Sequence, residues 1–167
     1  MPDLVVETDG FCSPNPGGLA TWAFRVSAGG GEPTVERSGV AAAEPEGTNE
    51  LAEWRAAFEA MLWLHANAPD GARVAFRNDN ARVVRALAGD APVPSEGEAR
   101  RLAQECRRLW KELHERDVLV AFSRVPRWEN AEADRLASEA HARATAERRR
   151  PWPGGREDLP PSRRGNR

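Results

Sequence analysis

The stretch "VVETDGFCSPNPGG" (Val5–Gly18) joins two patterns that pull in different directions. Val5 and Val6 read as the end of a buried strand, after which the chain presents the carboxylate of Asp9 and breaks into a cluster of Ser, Pro, Asn and Gly. Asp before Gly is by itself a turn signal. A carboxylate carried at the end of a buried strand also calls for a partner, and the candidates lie elsewhere in the chain.

Outward from this stretch, "DLVVET", "ATWAFRVSA" and "TVERSGVAAA" are short segments rich in β-forming residues, separated by the turn clusters "SPNPGG" and "AGGGEP". They predict three successive antiparallel strands. From Thr48 the period changes: Leu51, Trp54, Phe58, Met61, Leu62 and His65 recur at helical spacing, with Thr48 as N-cap and "APDG" as the stop. "ARVAFRND" then reads as a strand, "NARVVRALAG" as a short helix ended by Gly89, and "EARRLAQECRRLWKELHE" as a long one. The strand "VLVAFSRV" and a helix from about Asn130 to Ala146 complete the pattern. A meander followed by alternating helix and strand predicts an α/β fold: one mixed five-stranded sheet with helices on both faces.

With 167 residues and 40% hydrophobic content the chain suits one domain, residues 1–146, and no apolar run approaches the roughly 20 residues that cross a bilayer. The start "MPDLVVETDG" lacks the pattern of a secretory signal, which leads us to expect a cytoplasmic protein, without membrane attachment and monomeric. Cys12 and Cys106 have no metal-binding spacing and are expected as thiols. Past Ala146 the residues are mainly Arg, Pro and Gly, so 147–167 is expected to be a disordered tail. Arg143 to Arg167 contains eight arginines against three acids, so the remainder is more acidic than the net −2 of the whole chain. That acidity argues against a generic nucleic-acid binder.

Four acids fall at element ends: Asp9 after the first strand, Glu53 in the first turns of the long helix, Asp79 at the end of the fourth strand and Asp134 near the start of the last helix. In open α/β sheets such ends are where ligands bind. Residues three, four and seven positions apart share a helix face, so Glu53 lies on a stripe with Ala57, Ala60 and Leu64. Small apolar residues of this kind imply a surface packed close on the sheet, which would direct the Glu53 carboxylate inward. Held there without a partner it would tend to stay protonated, a tendency that a divalent cation reverses. Oxygen ligands without a His or Cys cluster favour magnesium or manganese over zinc.

The blocks "TDGFCSPNPGG", "GTNELAEWRAAFEAM", "FRNDNARVVRAL" and "VPRWENAEADRLASEA" resemble, in order and spacing, the four motif blocks of the type 1 ribonuclease H family, over roughly Leu4 to His141. The resemblance implies a ribonuclease H-like fold. It also implies an endonuclease in which four carboxylates bind two Mg²⁺ ions, Mn²⁺ being a possible substitute, and hydrolyse the RNA strand of an RNA/DNA hybrid to 5′-phosphate and 3′-hydroxyl ends. By motif, those carboxylates are Asp9, Glu53, Asp79 and Asp134, with Glu50 the competing acid in the helix. A degenerate, non-catalytic module that binds a hybrid or double-stranded RNA is the alternative.

The same alignment places Cys12, Asn15 and Asn49 where the family approaches the RNA minor groove. In the loop before the last acid, the better-studied branch has a His. Here "RVPRWENAEAD" is shorter, offers Arg127 for phosphate, and resembles a variant branch with a "VPR" loop. The basic insertion that some members carry between the middle helices is missing, and none of His65, His114 and His141 falls in a motif.

Overall fold

The structure is a computed structural model that describes residues 1–29 and 31–150. Beyond Arg150, the expected tail lies outside the described residues. Strands β1 (Leu4–Ser13), β2 (Leu19–Ala28) and β3 (Pro33–Ala42) precede helix α1 (Asn49–Asn67). Then follow β4 (Arg73–Asn78), α2 (Ala81–Leu87), α3 (Gly97–Glu115), β5 (Leu119–Arg124), a 3₁₀ turn over Arg127–Asn130 and α4 (Ala131–Arg148). The five strands form one sheet in the order β3-β2-β1-β4-β5. The first three are antiparallel, while β4 is parallel to both β1 and β5.

Alternation along β1 sorts its side chains between two helical layers. Val6 joins Phe24, Val26, Val74 and Phe76 in the main core, against Met61 and Leu64 of α1 and Leu102, Leu109 and Leu113 of α3. The opposite face carries α4: Thr21 Oγ1 donates to the Ala137 carbonyl at 2.7 Å, and Phe11 meets the His141 ring edge-on with centroids 4.9 Å apart. Arg25 pairs with Glu7 and reaches Glu132 of α4 on this same face. Buried Ala133, Ala137 and Ala140 let α4 lie close.

Two expectations need correction. β1 does not end before Asp9; it stays paired with β2 to Ser13, so Asp9 sits inside a strand, opposite Ala23. What ends near Asp9 is the parallel pairing with β4, whose last partners are Glu7 and Arg77. In α1 the departures are Leu62, which is exposed, and His65, which bonds Glu112 at 2.7 Å, whereas Trp54, Met61 and the stripe of Ala57, Ala60 and Leu64 are buried, together with Ala52 and Ala56. Gly10 supplies the reason for the small residues: a Cβ there would stand 2.4 Å from the Ala52 carbonyl carbon and the Glu53 nitrogen. Helix and strand backbones touch, so only small side chains fit between them.

Candidate active site

The site lies where β1, still paired with β2, runs on past its parallel partner β4. β4 stops at Asn78, and the edge of β1 beyond Glu7 has no strand beside it. Two buried amides replace the missing ladder, Asn78 Nδ2 and Asn130 Nδ2, which donate to the Thr8 carbonyl at 3.1 and 2.9 Å. Buried carbonyls need such partners, and here they come from the last residue of β4 and the last residue of the 3₁₀ turn. Asn78 also donates to Thr8 Oγ1 at 2.9 Å and to Glu53 Oε2 at 2.9 Å, while its own Oδ1 accepts from the Asn80 nitrogen.

Through this gap, carboxylates from the two layers meet. Asp9 and Glu53 are 4% and 6% exposed, and with half-buried Asp79 they bring one oxygen each within 4.8 Å of one another. Asp9 accepts from the Gly10 nitrogen at 2.9 Å. Asp134, in the first turn of α4, lies outside that 4.8 Å grouping, yet its charge bears on both Asp9 and Asp79. Glu50 is exposed, one turn of α1 before Glu53.

Burial above all, then the facing Glu53 carboxyl, pushes Asp9 up from 3.8 to about 10. Burial also raises Glu53, to about 7, against the opposing hydrogen bonds from Asp9 and Asn78. Asp79 is raised by burial, with Arg127 pulling the other way and Asp134 adding to the rise. Neither Asp9 nor Glu53 has an ion-pair partner among the described residues. Buried carboxylates that repel one another, lack a cation and have no His or Cys beside them make a donor set that fits a hard divalent ion.

The remaining predicted residues surround this cluster. Asn15, in the hairpin loop after β1, accepts from the Asn49 nitrogen at 2.9 Å, and Thr48 Oγ1 accepts from Leu51 at 3.0 Å. Both satisfy donors at the start of α1, which fixes the turn that carries Glu53. Cys12 is buried against Ala20 and Ala52 and donates its thiol to the Pro14 carbonyl at 3.3 Å. Arg127 is exposed, at the start of the 3₁₀ turn.

Sequence reasoning missed Asn78, Asn130 and Gly10 as builders of the site. Asn78 directly precedes Asp79 and Asn130 lies one helical turn before Asp134, but in sequence an Asn reads as a turn or cap.

No protein-family model and no curated protein matches the chain by sequence; the likeness appears among solved structures. LC11-RNase H1, isolated from compost by a metagenomic approach, superposes with a TM-score of 0.72 at 26% identity, over 87% of this chain and 99% of that one. The RNase H1 of the halophilic archaeon Halobacterium salinarum NRC-1 gives 0.69 at 26% identity, over 84% and 98%. An N-terminal RNase H domain from Mycobacterium tuberculosis gives 0.71 at 23%, over 89% and 99%, a likeness of fold. The sheet order and the acidic cluster at its open edge thus define a ribonuclease H-like α/β protein. Over most of its length the chain is similar in structure to these type 1 ribonuclease H enzymes.

Proposed function

We propose that the chain is a metal-dependent endonuclease that hydrolyses the RNA strand of RNA/DNA hybrids, leaving 5′-phosphate and 3′-hydroxyl ends. The observation that carries this reading is the convergence of Asp9, Glu53 and Asp79 at the open edge of β1, with Asp134 beside them. LC11-RNase H1, which shares the fold at 25% identity and a TM-score of 0.71, has been crystallised with an RNA/DNA hybrid.

Asp9, Glu53, Asp79 and Asp134 would hold two divalent ions, magnesium or manganese. When bound, such ions supply an activated water and stabilise charge on the leaving oxygen of a phosphodiester. The chain's own groups set the geometry. Asn78 fixes Glu53 by direct hydrogen bond, and Asn78 and Asn130 together fix the backbone that carries Asp9.

Strand choice falls to short polar side chains. An A-like duplex displays its 2′-hydroxyls across a shallow minor groove. Asn15 spends its carbonyl oxygen on Asn49, which leaves its amide hydrogens to donate toward such a hydroxyl. Asn49 stands beside it, Cys12 holds the loop from beneath, and Arg127 offers a guanidinium to phosphate next to Asp79.

The test labels each strand in turn in three duplexes, RNA/DNA, DNA/DNA and RNA/RNA, with Mg²⁺ and with EDTA. Cutting of RNA in the hybrid, dependent on Mg²⁺, is expected. Comparable cutting of the DNA strand, or cutting in EDTA, overturns the proposal.

A further inference from the structure

Trp128 is the one exposed tryptophan among the described residues, at 75% exposure, whereas Trp54 is buried and Trp22, Trp63 and Trp110 are partly covered. Tryptophan is on average a highly buried residue, and its large apolar face is favourable in water only when something covers it.

Its exposure is not that of a loose loop. The segment is pinned at both ends to the backbone of the site: the Val125 nitrogen donates to the Asn78 carbonyl at 3.0 Å, and Asn130 donates to the Thr8 carbonyl at 2.9 Å. Between these anchors the chain is wound into a 3₁₀ turn closed by a bond from Glu129 to Pro126 at 2.9 Å. Val125 and Asn130 are buried, while Arg127, Trp128 and Glu129 project. The residue before Trp128 acts electrostatically on Asp79, and the helix that begins just after Asn130 carries Asp134. A turn anchored at both ends to the backbone of the site thus exposes an indole next in sequence to the arginine that acts on Asp79.

We infer that Trp128 is a substrate-contacting residue, whose indole packs on a nucleotide of the strand held at the carboxylates while Arg127 meets the adjoining phosphate. This rests on the nuclease reading above and adds to it a binding residue that the motif blocks do not assign. Aromatic faces pack on nucleotides largely without regard to sequence, so the contact raises affinity and orients the strand without selecting a base. It also supplies apolar contact that an acidic surface otherwise lacks.

The experiment compares wild type, Trp128→Ala and Trp128→Phe by anisotropy of a labelled RNA/DNA hybrid in EDTA, by steady-state cleavage in Mg²⁺, and by thermal melting. Trp128→Ala is expected to weaken binding by at least about fivefold, the low end for loss of one aromatic contact. KM should rise with it while kcat stays near wild type, Phe should recover most of the loss, and the melting temperature should stay put because the side chain is exposed. Binding within twofold of wild type overturns the inference, as does a fall in melting temperature that accounts for the loss. A wild type that binds hybrid without cutting it sinks the nuclease reading, and the anisotropy arm then still decides the role of Trp128.

Discussion

Asn78 Nδ2 donates to Glu53 Oε2 at 2.9 Å, a bond between the last residue of β4 and an acid one turn into α1, with both side chains buried. The amide leaves Glu53 no freedom to turn away from Asp9. It also separates Glu53 from Glu50, which points to solvent from the same turn of helix.

That separation predicts unequal effects for two similar changes. Glu53→Gln should lower the cleavage rate by more than the roughly 10–100-fold typical of groups that only orient metal ligands. Glu50→Gln should cost far less. Steady-state rates on a labelled hybrid check the ranking, and the reverse order would mean that Glu50 holds the metal.

Asp79→Asn should abolish cleavage while leaving the fold intact, because the amide keeps the shape of a half-buried side chain and removes its charge. Circular dichroism and melting would verify folding, and wild-type activity in such a protein would exclude Asp79 from the chemistry.

For Asp9 the prediction is one of pH. Its folded pKa is raised from 3.8 to about 10, so the folded state binds the proton more tightly than the unfolded state. The stabilisation linked to that proton is full below the unfolded value and is lost as pH rises through the folded one. In EDTA, Asp9→Asn escapes this loss, so its melting temperature relative to wild type should climb between about pH 5 and about pH 9. Mg²⁺ should restore wild type more than the variant. A pH-independent difference would mean that the Asp9 carboxyl is not protonated in the metal-free fold.

Gly10→Ala places a Cβ 2.4 Å from the backbone of Ala52 and Glu53, where no side chain can swing aside. A loss of roughly 1–3 kcal/mol is expected from such overpacking, together with a fall in activity as Glu53 is displaced. Urea denaturation measures the first and hybrid cleavage the second; an unperturbed variant would contradict the close contact of β1 and α1.

Asn15→Ala removes the acceptor for the Asn49 nitrogen, an exposed capping bond worth about 1 kcal/mol. The fall in kcat/KM on the hybrid should exceed the equivalent of that loss, since strand recognition goes with the amide. Equal losses in stability and activity would reduce Asn15 to a cap.

Much of this architecture is legible locally. The meander, the long helix with its Thr48 cap and the order of the later elements each rest on patterns a few residues long. Each of the four candidate acids lies in a short block that can be read on its own. What sequence hides is decided by distant neighbours. β1 outlasts its parallel partner because β2 continues beside it, so Asp9 lies within a strand although the residues after it read as a turn. The small residues of α1 could be read as a close-packed face, but not Gly10 as the place where that helix backbone meets β1, because the contact joins distant positions. Asn78 and Asn130 are polar residues consigned to the interior by the same unpaired edge, and nothing in their flanks announces it.

The bond from Asn130 to the Thr8 carbonyl spans 122 positions of sequence. During synthesis, then, the strand that carries Asp9 emerges first and waits for nearly all of the described chain before its edge is closed. Until the final helix has left the ribosome, the acids contributed by β1, α1, β4 and α4 cannot be gathered at one point. A chain cut short before Asn130 would have β1, α1 and β4 but not the clasp that completes them. The arrangement therefore makes the gathering of the four acids a late event of folding, open only to a chain that has reached α4.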